Sequence, residues 1–286
     1  MLNILEYEFM QRAFLVGIFL ALIIPCIGII VILKRLSMIG DALSHASLAG
    51  VAAGLVMNIN PIAGAMAASV AAALGIEAIR KKIPRFSELS IAIVMSVGVG
   101  LAGVLSGFVK NSANFNSFLF GSIVSIDDFE MYVIILVSCV VFLAFILLYR
   151  GLFYIALDER GARLAGVPTG VINFIFTILT AVTVSVAGRT VGALIISSLM
   201  VVPVACAMQF GKSFKMTVVL SVFFAMLFMI SGLFTAYYVD LKPGGTIVLI
   251  GAAVFLLIVT GKYTFMKIRR VQQRTVSNRI SGGNEP

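Results

Sequence analysis

The sequence contains few charged residues and no tryptophan. Asp, Glu, Lys and Arg make up only 12% of its 286 residues, well below the ~25% that is usual in soluble domains. Hydrophobic residues make up 61%, and the mean hydropathy is +1.13. Because such a chain has too little polar surface to cover itself in water, a soluble enzyme, a disordered protein and a secreted disulfide-rich domain are excluded. We therefore expect an integral membrane protein.

Cysteine and histidine are also scarce. Cys26, Cys139 and Cys206 lie inside apolar runs at unrelated spacings, so they form neither a metal motif nor a disulfide framework, and we expect them to act as small hydrophobic residues. His45 is the single histidine. A motif with two histidines, such as the H-E-x-x-H of metalloproteases, is therefore excluded, which leaves a membrane metalloenzyme as the weakest of the functions considered.

Long apolar runs fill most of the chain. A helix needs about 20 predominantly apolar residues to cross a membrane, and nine runs approach this length: 13–33, 37–57, 61–79, 90–109, 131–149, 171–187, 191–210, 217–238 and 246–260. The run 118–126 is too short to span, and we interpret it as a re-entrant or interfacial segment. The sequence thus predicts an all-α membrane protein with eight to nine transmembrane helices.

The basic residues indicate an orientation. When the loops are placed alternately on two sides, one side receives Arg12, Lys110, Arg189 and Lys242, and the other 17 of the 21 Lys and Arg fall on the opposite side. Since cytoplasmic loops are enriched in Lys and Arg, we predict that the N-terminus is outside and the C-terminus cytoplasmic. The net charge of +9 then reflects topology or contact with membrane lipid, and we expect no nucleic-acid partner.

The short loops predict a single transmembrane domain over residues 1–273. Residues 274–286 form a polar tail that we expect to be disordered. The sequence offers no stretch suited to a soluble domain, so an ATPase or a ligand-capturing module is expected to be a separate chain.

Asp41 and His45 form an ionisable pair deep within a predicted span. Such groups are costly in lipid and are functional by default. Their i,i+4 spacing places both side chains on one helix face, and a distance of about 15 Å from Arg35 places His45 near the middle of the membrane. Because carboxylate and imidazole bind first-row transition metals, the pair is a candidate site for an ion in passage. An interhelical hydrogen bond or a buried ion pair is the alternative.

Small residues follow this pair along the predicted helix. Gly50 and Gly54 have the small-xxx-small spacing that lets a second helix backbone approach closely. We predict that they pack against a neighbouring helix.

Four stretches of the sequence match known signatures. They are residues 38–50 (MIGDALSHASLAG), residues 119–121 followed by 125–128, residues 191–199 followed by 203–207, and residues 237–249. Together they closely resemble the integral membrane permeases of ABC importers for zinc and manganese, and the similarity covers roughly residues 9–262. In that family the aspartate and histidine of the first stretch contact the metal, which implies this role for Asp41 and His45.

The resemblance also implies the setting of the protein. It implies a homodimeric permease in the bacterial plasma membrane, with two cytoplasmic ATPase subunits and an extracellular or periplasmic metal-binding protein as partners. The chain itself is then not an enzyme and holds no permanent cofactor, and the transported ion is Zn²⁺ or Mn²⁺. Ser47-Leu48-Ala49 after the histidine is more similar to the zinc members, so we expect zinc before manganese.

The predicted cytoplasmic loop over about residues 155–168 is a candidate for the element that contacts the ATPase. Acidic residues begin a short helix here, and a glycine ends it. The resemblance identifies it as the coupling helix, with Asp158, Glu159, Ala162, Leu164, Ala165 and Gly166 as its candidate residues. A topological loop without a partner is the alternative.

On the predicted outer side, Asp240 lies in a tight turn before Pro243 and is a further candidate, as a gate for the metal. A secondary-active divalent cation transporter is the alternative function for the whole chain. Such transporters usually contain several intramembrane acidic residues, whereas this sequence offers one deep pair.

Overall fold

The computed structural model describes residues 6–83, 87–109, 118–119, 121, 126–193 and 195–281. These residues form helices and connecting turns, without a strand in the described part of the chain. The helices are α1 (Glu8–Leu33), α2 (Ile39–Val56), α3 (Pro61–Lys82), α4 (Ser87–Ser106), α5 (Asp128–Leu157), α6 (Glu159–Leu164), α7 (Thr169–Ala187), α8 (Ile196–Met208), α9 (Phe214–Val239) and α10 (Pro243–Ser281).

Eight of the described helices are long and apolar enough to cross a membrane, namely α1 to α5, α7, α9 and α10. The prediction of an all-α membrane protein with eight to nine spans is confirmed at the lower number. The most buried of the eight are α1, α2 and α7, whereas α4, α5 and α10 lie at the periphery. Helix α2 packs mainly against α3 and α4, so the helix that carries Asp41 and His45 is held inside the bundle.

The predicted span over residues 191–210 is broken. Helix α7 is followed by a π-helical turn, Gly188–Gly192, and α8 has only 13 residues. At about 1.5 Å per residue, α8 is about 20 Å long, which is less than the ~30 Å thickness of the hydrocarbon core. The chain leaves the helical path where Gly192 adopts a φ of +102°, a conformation that glycine accepts without steric cost.

A second segment covers the backbone at this break. The amide of Ala193 donates to the carbonyl of Phe118 at 3.0 Å. Gly121 lies so close to Val191 that a Cβ atom on it would be 2.5 Å from the carbonyl carbon of that residue. Irregular backbone at membrane depth requires protein partners of this kind, because lipid offers no hydrogen bonds. Most of the segment predicted as re-entrant, 118–126, lies outside the described residues.

Polar contacts identify which helix ends lie together. At one end, which we call the outer end, Arg12 of α1 forms an ion pair of 2.9 Å with Asp128 of α5. At the opposite end of α1, the inner end, Lys34 donates to Asn173 of α7 at 2.7 Å. Basic residues gather at the inner end, as the predicted cytoplasmic side requires. The orientation in the membrane stays a prediction.

The last helix is longer than the predicted span. Helix α10 has 39 residues and continues to Ser281, through most of the segment that we expected to be a disordered tail from residue 274. No proline or glycine interrupts the sequence between residues 262 and 281, so nothing in this stretch stops the helix. The division into a domain over 1–273 and a tail stays a prediction.

Candidate functional site

Asp41 and His45 share the one partly open face of the first part of α2. Both side chains are half-buried, whereas every other residue from 39 to 52 is buried. Asp41 lies in the first turn of the helix, where the partial positive charge of the helix N-terminus stabilises a carboxylate. The two ligand-type side chains are therefore partly accessible, while the rest of this part of the helix is covered.

Helix α2 packs closely on α4 at His45. A Cβ atom on Gly98 would lie 2.9 Å from the amide nitrogen of Ala46 and 3.1 Å from the carbonyl carbon of His45. Gly98 is the twelfth of the 20 residues in α4. The backbone of His45 thus lies beside the middle of the spanning helix α4, and the depth of the pair in the membrane stays a prediction.

Helix α3 approaches α2 from another side. A Cβ atom on Gly50 would lie 2.2 Å from the carbonyl oxygen of Gly64, and one on Gly64 would lie 2.4 Å from the carbonyl oxygen of Gly50. Gly54 lies at the connection between the two helices, where its Cβ would be 3.1 Å from the Cα of Pro61. Gly64 and Gly98 were not predicted, although each has a small residue four positions later, Ala68 and Ala102, which is the spacing that identified Gly50 and Gly54.

The pair has few polar neighbours. Within the described residues, no hydrogen bond or ion pair joins the side chain of Asp41 or His45 to another group, and no three or more His, Cys, Asp or Glu side chains form a cluster. One protomer therefore presents two ligands, fewer than the four of a closed zinc site. An incomplete ligand set is suited to an ion that must bind and leave.

The predicted coupling segment forms the helix α6 at the inner end. Asp158 is its N-cap and accepts a hydrogen bond from the amide of Arg160 at 2.9 Å. Gly166, with a φ of +83°, follows the last turn, where the amide of Val167 donates to the carbonyl of Ala162 at 3.0 Å. This is the arrangement in which a glycine at C′ ends a helix. The two residues thus give a six-residue helix its fixed ends.

The candidate residues of α6 point in two directions. Ala162 is 4% exposed and belongs to the core, whereas Leu164 is 90% exposed, and Ala165 and Gly166 are also exposed. Leu164, Ala165 and Gly166 therefore form the exposed end of this helix, and Asp158 is exposed at its start. Ala162 instead anchors the helix to the rest of the molecule.

Behind α6 lies a cleft of about 800 Å³ that is lined by residues of four helices and by Lys34 and Leu36, which follow α1. Glu77 of α3 is 6% exposed and pairs with Arg80 at 2.7 Å. Burial and the nearby Arg80 lower the pKa of Lys34, Glu159 and Glu77 act in the opposite direction, and the net value is about 8. Lys34, Asn173 and Glu77 were not predicted as site residues. An acid three residues before an arginine in a predicted span is the one signal that could have found Glu77.

Asp240 lies at the other end of the molecule. It is the exposed C-cap of α9, with a φ of +54°, and Tyr237 three residues earlier packs on Tyr7, which precedes α1. Asp240 is therefore near the start of α1, whereas Asp41 lies just after the end of α1. The length of that helix separates Asp240 from Asp41. The structure does not bring Asp240 to the pair, and its left-handed conformation, which Asp and Asn tolerate, gives it a structural role.

Known proteins match this chain over most of its length. A family model described as the ABC 3 transport family matches residues 6–262. A probable metal transport system membrane protein of Treponema pallidum is 36% identical over 259 residues, which cover 89% of this chain and 96% of that protein.

Two relatives carry the name of a metal. The manganese transport system membrane protein MntC of Listeria monocytogenes is 30% identical, and the match covers 89% of this chain and 91% of that protein. The high-affinity zinc uptake system membrane protein ZnuB of Haemophilus influenzae is 27% identical, and the match covers 88% of this chain and 97% of that protein. Among solved structures, PsaBC from Streptococcus pneumoniae in complex with Fab matches with a TM-score of 0.81 and 28% identity, over 90% of this chain and 93% of that chain.

Proposed function

The chain belongs to the ABC 3 transport family, as the resemblance of its motifs predicted, and from this membership we propose that it is the membrane permease subunit of a bacterial metal importer. It is a multi-span protein of the plasma membrane. It provides the passage for a divalent transition metal, and ATP is hydrolysed by separate subunits. The metal itself is the cargo of the protein and not a resident cofactor.

The observation that carries the proposal is the open face of α2. Asp41 and His45 are the two residues between positions 39 and 52 that are not buried, and the backbone of His45 lies beside the middle of the spanning helix α4. A carboxylate and a neutral imidazole bind zinc and manganese. The pair receives the ion from the outer side and releases it inward, because two ligands hold it too weakly to keep it.

A second copy of the chain completes the passage. The outward face of α4 carries Ala92, Ser96, Gly100 and Gly103, all exposed, and a Cβ atom on either glycine would meet no atom within 4 Å. Small residues of this kind allow two membrane helices to approach closely. A homodimer that packs through α4, the neighbour of α2, brings two Asp41–His45 pairs to one axial path. Cysteines introduced as Ser96→Cys should then crosslink between protomers.

An ATPase subunit docks on the inner end. The exposed Leu164 at the end of α6 is an apolar side chain in a water-facing turn, and Asp158 and Glu159 are held by hydrogen bonds within the permease. A protein partner that covers Leu164, Ala165 and Gly166 removes this apolar surface from water. Metal is delivered to the outer end by a binding protein.

Zinc and manganese are both candidates for the cargo. The triplet Ser47-Leu48-Ala49 is more similar to zinc members, and the named relatives include proteins for either metal. The ligand chemistry of Asp41 and His45 suits both ions. We propose zinc first, and competition between the two ions in one uptake assay measures the preference directly.

The test uses the permease reconstituted in liposomes with its ATPase. Uptake of radioactive zinc and manganese is measured with and without ATP, for wild type, Asp41→Asn and His45→Ala. We expect ATP-dependent uptake by wild type, uptake at background level in both variants, and unchanged association with the ATPase. Asp240→Asn is the matched control, because it makes the same chemical change far from the pair. Uptake that is driven by a proton or sodium gradient without ATP would instead support the secondary transporter.

A further inference from the structure

Three polar side chains form a continuous chain at the inner end. Lys34 follows α1, Asn173 is in the second turn of α7, and Glu159 is the first residue of α6. The Nζ of Lys34 donates to Oδ1 of Asn173 at 2.7 Å, and Nδ2 of Asn173 donates to Oε1 of Glu159 at 2.7 Å. The helix that faces the ATPase is thus bonded to the ends of two central helices.

The chemistry of the middle residue fits this place. A lysine ammonium can only donate hydrogen bonds and a carboxylate can only accept them, whereas an asparagine amide does both. Asn173 is 3% exposed, so its amide has little access to water that could replace either bond. An aspartate here would repel Glu159, and an apolar residue would leave Lys34 and Glu159 without their partner.

Further contacts tie the chain to the surrounding helices. The Nζ of Lys34 also lies 5.9 Å from the centre of the Phe176 ring, one turn along α7. The buried Glu77–Arg80 ion pair of α3 lines the same cleft. Helix α7 packs on α3, and both pack on α2. A displacement of α6 therefore reaches the helix that carries Asp41 and His45 through bonded and packed neighbours.

We propose that Asn173 and Lys34 are positioning residues that transmit movement of the ATPase-bound α6 to α1 and α7. This inference rests on the proposed function, because it assigns the mechanical link between the ATPase surface and the metal face. The bonds fix the first turn of α6, and Ala162 fixes its second. When these hydrogen bonds are broken, α6 still docks on the ATPase, but its movement no longer displaces the central helices.

The experiment exchanges the charges along the chain in the reconstituted permease–ATPase complex. The variants are Asn173→Asp, Glu159→Gln and the double variant, and the readout is the amount of metal imported per ATP hydrolysed. In the double variant, Lys34 and the new glutamine amide can both donate to the new aspartate, so the hydrogen bonds and the net charge are restored. We expect Asn173→Asp to lower the ratio by about tenfold or more, since breaking a buried hydrogen bond to a charged group is costly. The double variant should return to within about twofold of wild type.

The controls separate this inference from the proposed function. Asn60→Ala removes an amide that caps α3 at its opposite end, and it should leave the ratio unchanged. A wild-type ratio in Asn173→Asp would overturn the role of the Lys34–Asn173–Glu159 hydrogen bonds while leaving the importer intact. A ratio in the double variant as low as in Asn173→Asp would do the same. Wild-type protein that imports metal without an ATPase would overturn both. Thermal unfolding of each variant shows whether lost transport reflects lost folding, and the double variant tests the chain even where the single one unfolds.

Discussion

The two candidate regions of this protein are built on opposite physical principles. On α2, Asp41 and His45 are placed by close backbone packing at glycines, and no described residue bonds to their side chains. At the inner end, charged side chains are placed by short hydrogen bonds and ion pairs. The comparison indicates that the proposed metal ligands are kept free by fixing their helix, whereas the proposed partner surface is fixed through its own polar side chains.

The largest expected effect comes from breaking the packing of α2. A leucine at Gly50 would overlap the backbone of Gly64 and the Cβ of Ala68, which would lie 2.2 and 2.6 Å from its own Cβ. Gly50→Leu should destabilise the protein by about 3 kcal/mol or more, because backbone must move. The measurement is the yield of monodisperse protein and its unfolding temperature.

Gly75→Leu is the matched control for this prediction. Gly75 lies on α3, like Gly64, but a Cβ atom on it would meet nothing within 4 Å. The variant should fold as wild type does. Equal loss of folded protein in both variants would show that the membrane helices reject leucine in general, and not at the α2–α3 contact in particular.

The next effect concerns the surface of α6. Leu164→Asp places a charge on the exposed apolar side chain that we expect the ATPase to bury, which should weaken association by roughly 10- to 100-fold. Pull-down of the ATPase at graded concentrations measures this loss. Leu164→Met keeps an apolar side chain and should retain association, and metal retention on Asp41 and His45 should be equal in both. Unchanged association of Leu164→Asp would place the docking surface elsewhere.

A smaller effect should follow from pH at the inner end. The pKa of Lys34 is lowered to about 8, while the unfolded chain keeps the ordinary value near 10.4. Between these values the unfolded state binds more protons, so stability rises as the pH increases. Below pH 8 both states are protonated, and the cost of burying the charge is constant.

We therefore expect the unfolding temperature of wild type to rise between pH 8 and pH 10 relative to Lys34→Gln, by roughly 2–4 °C. The glutamine can still donate to Asn173 but does not titrate, and the groups that face Lys34, namely Arg80, Glu77 and Glu159, are common to both proteins. Parallel temperature curves for the two proteins would contradict the assignment.

The smallest effect is expected outside both regions. Asp240 ends α9 in a left-handed conformation, which Asn adopts as readily and alanine does not. Asp240→Ala should cost about 1 kcal/mol of stability, and Asp240→Asn should cost less than about 0.5 kcal/mol, with metal uptake unchanged in both. Thermal unfolding and uptake are measured together. Loss of uptake in the stable Asn variant would restore Asp240 as a gate.

The spanning helices and the Asp41–His45 pair could be predicted from local sequence. Apolar runs of about 20 residues predict spanning helices, and an Asp–His pair at i,i+4 spacing stands out in such a run. The broken segment around Gly192 was predicted as a span, because hydropathy records composition and not the backbone angles that interrupt a helix. Lys34 and Asn173 could not be paired, since 139 residues separate them and neither is unusual where it stands.

The sequence by itself determined which segments leave water, but only the tertiary structure decided what each of them contacts. Helices α1 and α5 are equally hydropathic, yet 72% of the most apolar part of α1 is buried inside the protein, against 22% for α5. Lipid tails are as apolar as leucine, so no hydrophobic force distinguishes a helix that faces protein from one that faces lipid. Close backbone contacts at residues such as Gly50, Gly64 and Gly98, which are distant in sequence, place α2 inside the bundle and leave Asp41 and His45 on its open face.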